Sequence, residues 1–214
     1  GLHQIKSMKD FWNERYASTE YVYGKEPNQY FKQILCSLSP GKILLPAEGE
    51  GRNAVYAASL GWQVYAYDFS ERAYKKAMAL AAEKKVRLHY EIGSLAEMNY
   101  PDCFFDAIGL IYVHFPEPIR KSNHKHLTKM LAPEGNLILE AFSKKHPHYQ
   151  KLNPNVGGPK LQSQLYDTKE IREDFKNFYL HQLEEEIVEL HEGNFHVGKA
   201  SVIRMHGSKK FEEG

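Results

Sequence analysis

The chain has 214 residues, long enough for one domain with a full core and short for a dehydrogenase with a separate substrate domain. Lys and Arg total 28 against 27 for Asp and Glu, so no global field draws the protein to nucleic acid or to an anionic membrane. No apolar run approaches the ~20 residues that span a bilayer, residues 1–10 lack the apolar centre of a signal peptide, and two cysteines, Cys36 and Cys103, build neither a disulfide framework nor a four-thiolate zinc site. The expectation is a cytoplasmic protein with reduced thiols and a small-molecule partner, with no nucleic acid and no membrane involved.

In chain order, the pattern predicts short helices at 9–17 and 29–38, the second opened by Pro27-Asn28 and closed by Ser39-Pro40-Gly41. Together they form an N-terminal helical cap over 1–40. Strands and helices then alternate: strand 43–46, helix 52–60, strand 63–67, helix 70–84, strand 87–92, strand 105–112, helix 118–131 and strand 136–142, the last after the turn Pro133-Glu134-Gly135. Such alternation implies a mostly parallel sheet with helices on both faces. Residues 143–165, rich in Pro, Gly, Asn and His, read as a long loop. A short helix at 167–175 precedes strands at 178–192 and 195–206, joined at Gly193-Asn194 as a hairpin. The fold class is thus α/β, a Rossmann-like doubly wound sheet of seven strands with a C-terminal antiparallel hairpin. The organisation is one domain over 1–214, with the sheet in 41–206 and a polar tail at 207–214.

The most informative stretch is Ile43-Leu44-Leu45-Pro46-Ala47-Glu48-Gly49-Glu50-Gly51-Arg52-Asn53-Ala54, followed by the strand that ends at Asp68. An apolar run that breaks into Gly-x-Gly before a helix lets a ligand approach the backbone closely. Asp68, seventeen positions past Gly51, is placed to accept hydrogen bonds from ribose hydroxyls. Gly49-x-Gly51-x-x-Ala54 also fits a dinucleotide turn, but a pyrophosphate there would meet the carboxylates of Glu48 and Glu50. A phosphate-free, cationic cofactor such as S-adenosylmethionine meets no such repulsion.

The run 44–68 resembles the first motif of class I S-adenosylmethionine-dependent methyltransferases, with Ala47-Glu48-Gly49-Glu50-Gly51 in place of the glycine-rich loop. Phe11-Trp12-Asn13-Glu14-Arg15-Tyr16 and Tyr23-Gly24-Lys25-Glu26-Pro27-Asn28 resemble the amino-terminal signature of the tellurite-resistance and thiopurine-type branch. Leu131-Ala132-Pro133-Glu134-Gly135-Asn136 is similar to the turn before that family's fifth strand. The usual acid of the first strand is here Leu45 and the first loop glycine is Ala47, so Glu48 is the residue to take over the acid's place.

The resemblance implies a cofactor site built from Ala47, Glu48, Gly49, Gly51 and Asn53 on the loop, and Asp68 and Phe69 after the second strand. Ser94 and Leu95 after the third strand, Tyr112 after the fourth and Tyr23 of the cap complete it. His114, just past the carboxyl end of the fourth strand, is the candidate to orient a nucleophile or take its proton. Trp12 and Arg15 in the cap, with His191 and His196 across the hairpin tip, are candidate substrate contacts, and no metal is expected because the histidine spacing matches no common zinc pattern. The reaction implied is methyl transfer to a small acceptor, a thiol or chalcogen oxyanion. Cofactor binding without catalysis and a nicotinamide-dependent oxidoreductase remain as alternatives, and the oligomeric state stays open.

Overall fold

The computed structural model describes residues 7–17 and 20–211. Residues 1–6, part of the segment read as having no leader, and 212–214 of the expected tail lie outside the described residues. The cap begins with Met8–Arg15 (α1), N-capped by the Ser7 hydroxyl, and Gln29–Leu35 (α2), N-capped by Asn28, whose Oδ1 accepts from the Phe31 amide at 3.0 Å. Such caps satisfy amides that the first helical turn leaves free. While α2 buries Tyr30, Phe31 and Leu35, α1 buries no residue.

The sheet then builds in the predicted alternation: Lys42–Leu45 (β1), Arg52–Ser59 (α3), Gln63–Asp68 (β2), Glu71–Glu83 (α4), His89–Ile92 (β3), Phe105–Ile111 (β4), Glu117–Met130 (α5) and Leu131–Phe142 (β5). The helix α4 shows why the chain folds this way locally: Ser70 accepts from the Ala73 amide at 3.1 Å, and Ala73, Ala77, Leu80 and Ala81 line one buried face. Its small residues matter, since a Cβ on Gly51 would lie 2.7 Å from the Cβ of Ala77. The turn Pro133-Glu134-Gly135 lies inside β5 as an irregularity, with Glu134 at φ 66°.

The strand order is β3-β2-β1-β4-β5-β7-β6 with Phe178–Glu192 (β6) and His196–Lys209 (β7). The first five strands run parallel, and β7 is antiparallel to both β5 and β6. This is the doubly wound, seven-stranded sheet with a C-terminal hairpin that the alternation predicts. One face packs α2, α3 and α4 over a core containing Phe31, Leu45 and Ile138; the other packs α5 and the helix Thr168–Asp174 over Phe105, Leu139 and Phe175. Strand order reverses between β1 and β4, so their carboxyl ends open the crevice where such sheets hold ligands.

Three local expectations change. Residues 143–165 are more ordered than a bare loop, holding the helix Pro147–Leu152 and single turns at Pro154–Val156 and Gln162–Gln164. The polar tail does not begin at 207, because β7 continues to Lys209, whose buried ammonium donates to the carbonyls of Thr128 and Leu131 at 2.8 and 2.7 Å. The two hairpin histidines do not face each other: Glu192 pairs with His196, while His191 pairs with Val197. Period-two alternation therefore leaves His191 exposed and buries His196. No helix among the described residues is long and apolar enough to cross a membrane.

Candidate cofactor and acceptor site

The glycine loop sits at the carboxyl end of β1, and its backbone is bent by positive φ at Ala47 (48°), Gly49 (67°) and Gly51 (90°). Ala47 stands in the left-handed region that favours glycine, a conformation costing an L-residue about 1–2 kcal/mol. Gly49 is held at both ends, its amide donating to Asp68 Oδ2 at 2.9 Å and its carbonyl accepting from the Tyr90 hydroxyl at 2.5 Å. Asp68 also accepts from the Ser70 amide at 3.0 Å, and burial raises its carboxyl to about 6 despite these amides. The loop and the acid of β2 thus form one preorganised unit.

Glu48 does something the spacing does not show. Its Oε1 accepts from the amides of Asn53 and Ala54, at 3.0 and 3.2 Å, at the start of α3. Gly51, the N-cap of α3, has no side chain to do this. A helix N-terminus is where a pyrophosphate binds in dinucleotide sites, and here the protein's own carboxylate fills that position. Burial raises Glu48 to about 8, the two amides and Arg52 pulling in the other direction. Glu50 turns away from the loop: its carboxylate takes the Val22 amide at 2.7 Å and the Lys76 ammonium at 2.7 Å, pinning the cap.

The cap closes on this loop. A Cβ on Gly49 would lie 2.8 Å from the Tyr16 hydroxyl, so the Tyr16 ring covers the loop's inner face, with Trp12 stacked on it at 5.6 Å. Residues 22–24 pass between the glycine loop and the hairpin tip, where a Cβ on Gly193 would strike the Val22 carbonyl at 2.1 Å. Asn194 donates its amide to that carbonyl at 3.0 Å. Arg15 bonds the Tyr23 hydroxyl and lies over the Phe195 ring at 4.5 Å, joining α1 to the hairpin.

Past β4, Tyr112 adopts φ 56°, and its ring stacks on Phe142 at 4.7 Å, its buried hydroxyl without a partner among the described residues. His114 is spent on structure: Nδ1 bonds the Gln164 carbonyl at 2.7 Å and Nε2 accepts from the Phe142 amide at 3.1 Å. Burial lowers it to about 4, so the ring is neutral with no nitrogen left for a proton from a substrate. His196 is different, tied among the described residues only through Nδ1 to Glu192 at 3.2 Å, with the Tyr23 ring at 4.3 Å and the Tyr112 ring at 4.7 Å.

Behind these groups runs a buried ionic chain that sequence reasoning missed. Arg52 pairs with Glu192 at 3.3 Å, Asn28 donates to both Glu192 and Glu140, and Arg204 pairs with Glu140 at 2.8 Å and with Glu186 at 3.1 Å. The only local signals were the polar Arg52-Asn53 pair after the second loop glycine and the two acids on buried strand positions. Tyr16 and Tyr90 were missed as loop partners because nothing local marks a distant hydroxyl. A cleft of about 390 Å³ opens beside this chain, between residues 23–29 and the β6–β7 hairpin, with His191 on its rim.

Of the remaining predicted positions, Asn53 is buried, its side chain accepting from the Asn28 amide at 2.8 Å. Ser94 is exposed and bonded to Glu97, beside a buried Leu95, and Phe69 is half-buried. Gly93 donates to the Asp68 carbonyl, which places this turn next to the acid of β2. Trp12 meets the site through Tyr16, and Arg15 through Tyr23, with its charge also felt at His196. Among the described residues no cluster of His, Cys, Asp and Glu is arranged to hold a metal.

A profile of the methyltransferase-domain family matches residues 43–135, the stretch that carries the loop, Asp68 and Tyr112. Residues 43–135 thus read as a methyltransferase domain. An uncharacterized methyltransferase of Schizosaccharomyces pombe is 31% identical over 96 residues, which are 43% of this chain and 65% of the relative. The chain thus matches just under two thirds of the length of the curated relative. Among solved structures, one described under conversion of a disulfide bond into a thioacetal group during echinomycin biosynthesis superimposes with a TM-score of 0.78 at 12% identity, covering 97% of this chain and 94% of that one. TehB from Haemophilus influenzae superimposes with a TM-score of 0.70 at 19% identity, over 94% of this chain and 67% of that one. Solved structures of this fold include S-adenosylmethionine-dependent methyltransferases, and the residues present fit that cofactor: a glycine-bent loop, a buried acid at the end of β2 and a helix N-terminus already filled by Glu48.

Proposed function

We propose that the protein transfers a methyl group from S-adenosylmethionine to a small-molecule acceptor, a thiol or a chalcogen oxyanion. The observation that carries this reading is Glu48 on the amides of α3 beside Gly49 and Asp68. That arrangement accepts a nucleoside and rejects a pyrophosphate, which disfavours the nicotinamide alternative. Asp68 holds the ribose hydroxyls, the Gly49–Gly51 backbone lets the amino-acid part approach, and Glu48, which burial keeps largely protonated in the free protein, gives up its proton as it pairs with the ammonium in place of the acid that Leu45 replaces. Phe69, Ser94, Leu95 and Tyr112 border the adenosine, and Tyr23 with Asn53 and Ala47 completes the wall. Bound there, the cofactor supplies an electrophilic methyl carbon on a cationic sulfur.

The chain's own contribution is alignment and exclusion of water. Tyr16 and residues 22–24 close over the loop, so cofactor entry requires the cap to lift and its return shields the reacting atoms. The resemblance of the Phe11–Tyr16 signature to the tellurite-resistance and thiopurine-type branch supports a sulfur or chalcogen acceptor. Free, exposed Cys36 and Cys103 agree with a cytoplasmic setting. Calorimetry with S-adenosylmethionine, S-adenosylhomocysteine and NAD tests the cofactor assignment: binding of the first two without NAD is expected, and Asp68→Ala should weaken it at least tenfold. NAD binding, or an unchanged affinity in the variant, removes this reading. Binding with no turnover on any acceptor would select the non-catalytic alternative.

A further inference from the structure

Three histidines pack around Phe142, and only one is chemically available. Its ring lies 5.8 Å from His114, 4.1 Å from His146 and 5.3 Å from His196. His114 is bonded at both nitrogens, and so is His146, which meets the Gly157 carbonyl at 2.9 Å and the Ser201 amide at 3.3 Å. His196 uses Nδ1 alone, and among the described residues its Nε2 has no partner.

The Nδ1 partner decides what Nε2 can do. Glu192 is ionised, because Arg52 lies against it on one side and Asn28 donates to it on another. An ionised carboxylate only accepts, so Nδ1 must carry the proton and Nε2 the lone pair. The charged and titratable neighbours come from every packed element: Glu192 from β6, Arg52 from α3, Arg15 from α1, Tyr23 from the cap, Tyr112 after β4, and His114 and His146 across Phe142. Burial and the two arginines oppose a resting imidazolium, while Glu192 stabilises one formed transiently. Tyr23 and Glu192, which both touch the His196 ring, also line the 390 Å³ cleft, so the cleft ends one side chain away from the buried imidazole. The His196 ring itself is walled by Tyr23, Tyr112 and Phe142, and sulfur makes favourable contacts with aromatic rings.

Resting on the methyl-transfer reading, we propose that His196, held by Glu192, is the base that deprotonates the acceptor, and that the acceptor is a thiol which arrives protonated. The thiol proton moves to Nε2, the sulfur electron pair forms the new bond to the methyl carbon, and the pair of the breaking carbon–sulfur bond returns to the cofactor sulfur. The imidazolium then releases its proton to solvent. A chalcogen oxyanion, already ionised, has no use for such a base.

The test pairs two acceptor probes with a spectroscopic signature. At neutral pH 4-nitrothiophenol is largely ionised and 2-mercaptoethanol largely protonated. His196→Gln should slow methylation of 2-mercaptoethanol by roughly 10²-fold or more, with little change for 4-nitrothiophenol and unchanged calorimetric binding of S-adenosylhomocysteine. Nitrogen-15 NMR of the wild-type protein should show a protonated Nδ1 and a lone-pair Nε2 at His196, a readout that needs no acceptor and no variant. Equal losses on both probes, no loss on either, or a proton on Nε2 overturns the proposal. Failure of S-adenosylhomocysteine to bind the wild-type protein instead sinks the cofactor reading beneath it. Binding without turnover on either thiol removes the thiol acceptor and this proposal with it.

Discussion

Arg52→Met should be the most destabilising single change near the site. Arg52 is 8% exposed and Glu192 9%, and the guanidinium contacts both carboxylate oxygens at 3.3 Å. Arg52, with His196, holds the Glu192 carboxyl down to about 2 from an ordinary 4.5 against the opposing effect of burial. Holding a carboxyl near 2 in place of 4.5 corresponds to about 3 kcal/mol of stability at neutral pH. Mutational experience with half-broken buried pairs, about 3–5 kcal/mol, agrees. For a chain of this length that lowers Tm by roughly 6–12 °C. Because the folded value is the lower one, the contribution is complete above pH 4.5 and is lost as pH falls toward 2. Urea unfolding of wild type and variant at pH 7 and pH 3 measures both the gap and its closure. A gap under about 1 kcal/mol at pH 7, or one that fails to narrow at pH 3, would refute the reasoning. Arg52→Met with Glu192→Met should recover most of the loss, since two apolar side chains leave no unpaired charge buried.

Cofactor affinity should rise between pH 5.5 and 8, as Asp68 near 6 and Glu48 near 8 lose protons to become the carboxylates that the cofactor's hydroxyls and ammonium prefer; calorimetry in buffers of different ionisation enthalpy should detect proton release, and a flat profile refutes it. His114→Ala orphans the Phe142 amide and the Gln164 carbonyl, so it should cost about 1–3 kcal/mol of stability with little effect on cofactor affinity, read from paired denaturation and binding curves. Gly193→Ala puts a Cβ 2.1 Å from the Val22 carbonyl, which should loosen the cap and speed limited proteolysis ahead of residue 28; wild-type resistance would show that the strap tolerates the shift. Tyr112→Phe removes a buried, unpartnered hydroxyl, so the free protein should keep or gain up to about 1 kcal/mol while binding of S-adenosylhomocysteine weakens. Loss of stability in that variant would mean the hydroxyl already has a partner in the free protein.

The residues that could be read from the chain are those whose role is local. The loop glycines, the spacing to Asp68 and the alternation of strand and helix are one-dimensional patterns, because backbone conformation and the two periodicities are set by neighbouring residues. The hairpin at Gly193-Asn194 belongs with them, since a short turn fixes which strands pair. The roles of Glu48, His114 and His196 were not legible in this way. Glu48, read as a charge near the ligand, also caps α3, because only the folded loop aims its carboxyl at the Asn53 and Ala54 amides. His114 drew attention by standing past β4, yet its ring is consumed by partners 28 and 50 residues away. His196 became distinct from His191 only through strand register, which sends alternate side chains to opposite faces. The sequence by itself determined the architecture and the cofactor class, because both rest on local backbone geometry. Which histidine keeps a free nitrogen, and which carboxylate faces a cation, was decided by the tertiary structure alone, since hydrogen bonds across tens of residues exist only once the sheet has brought them together.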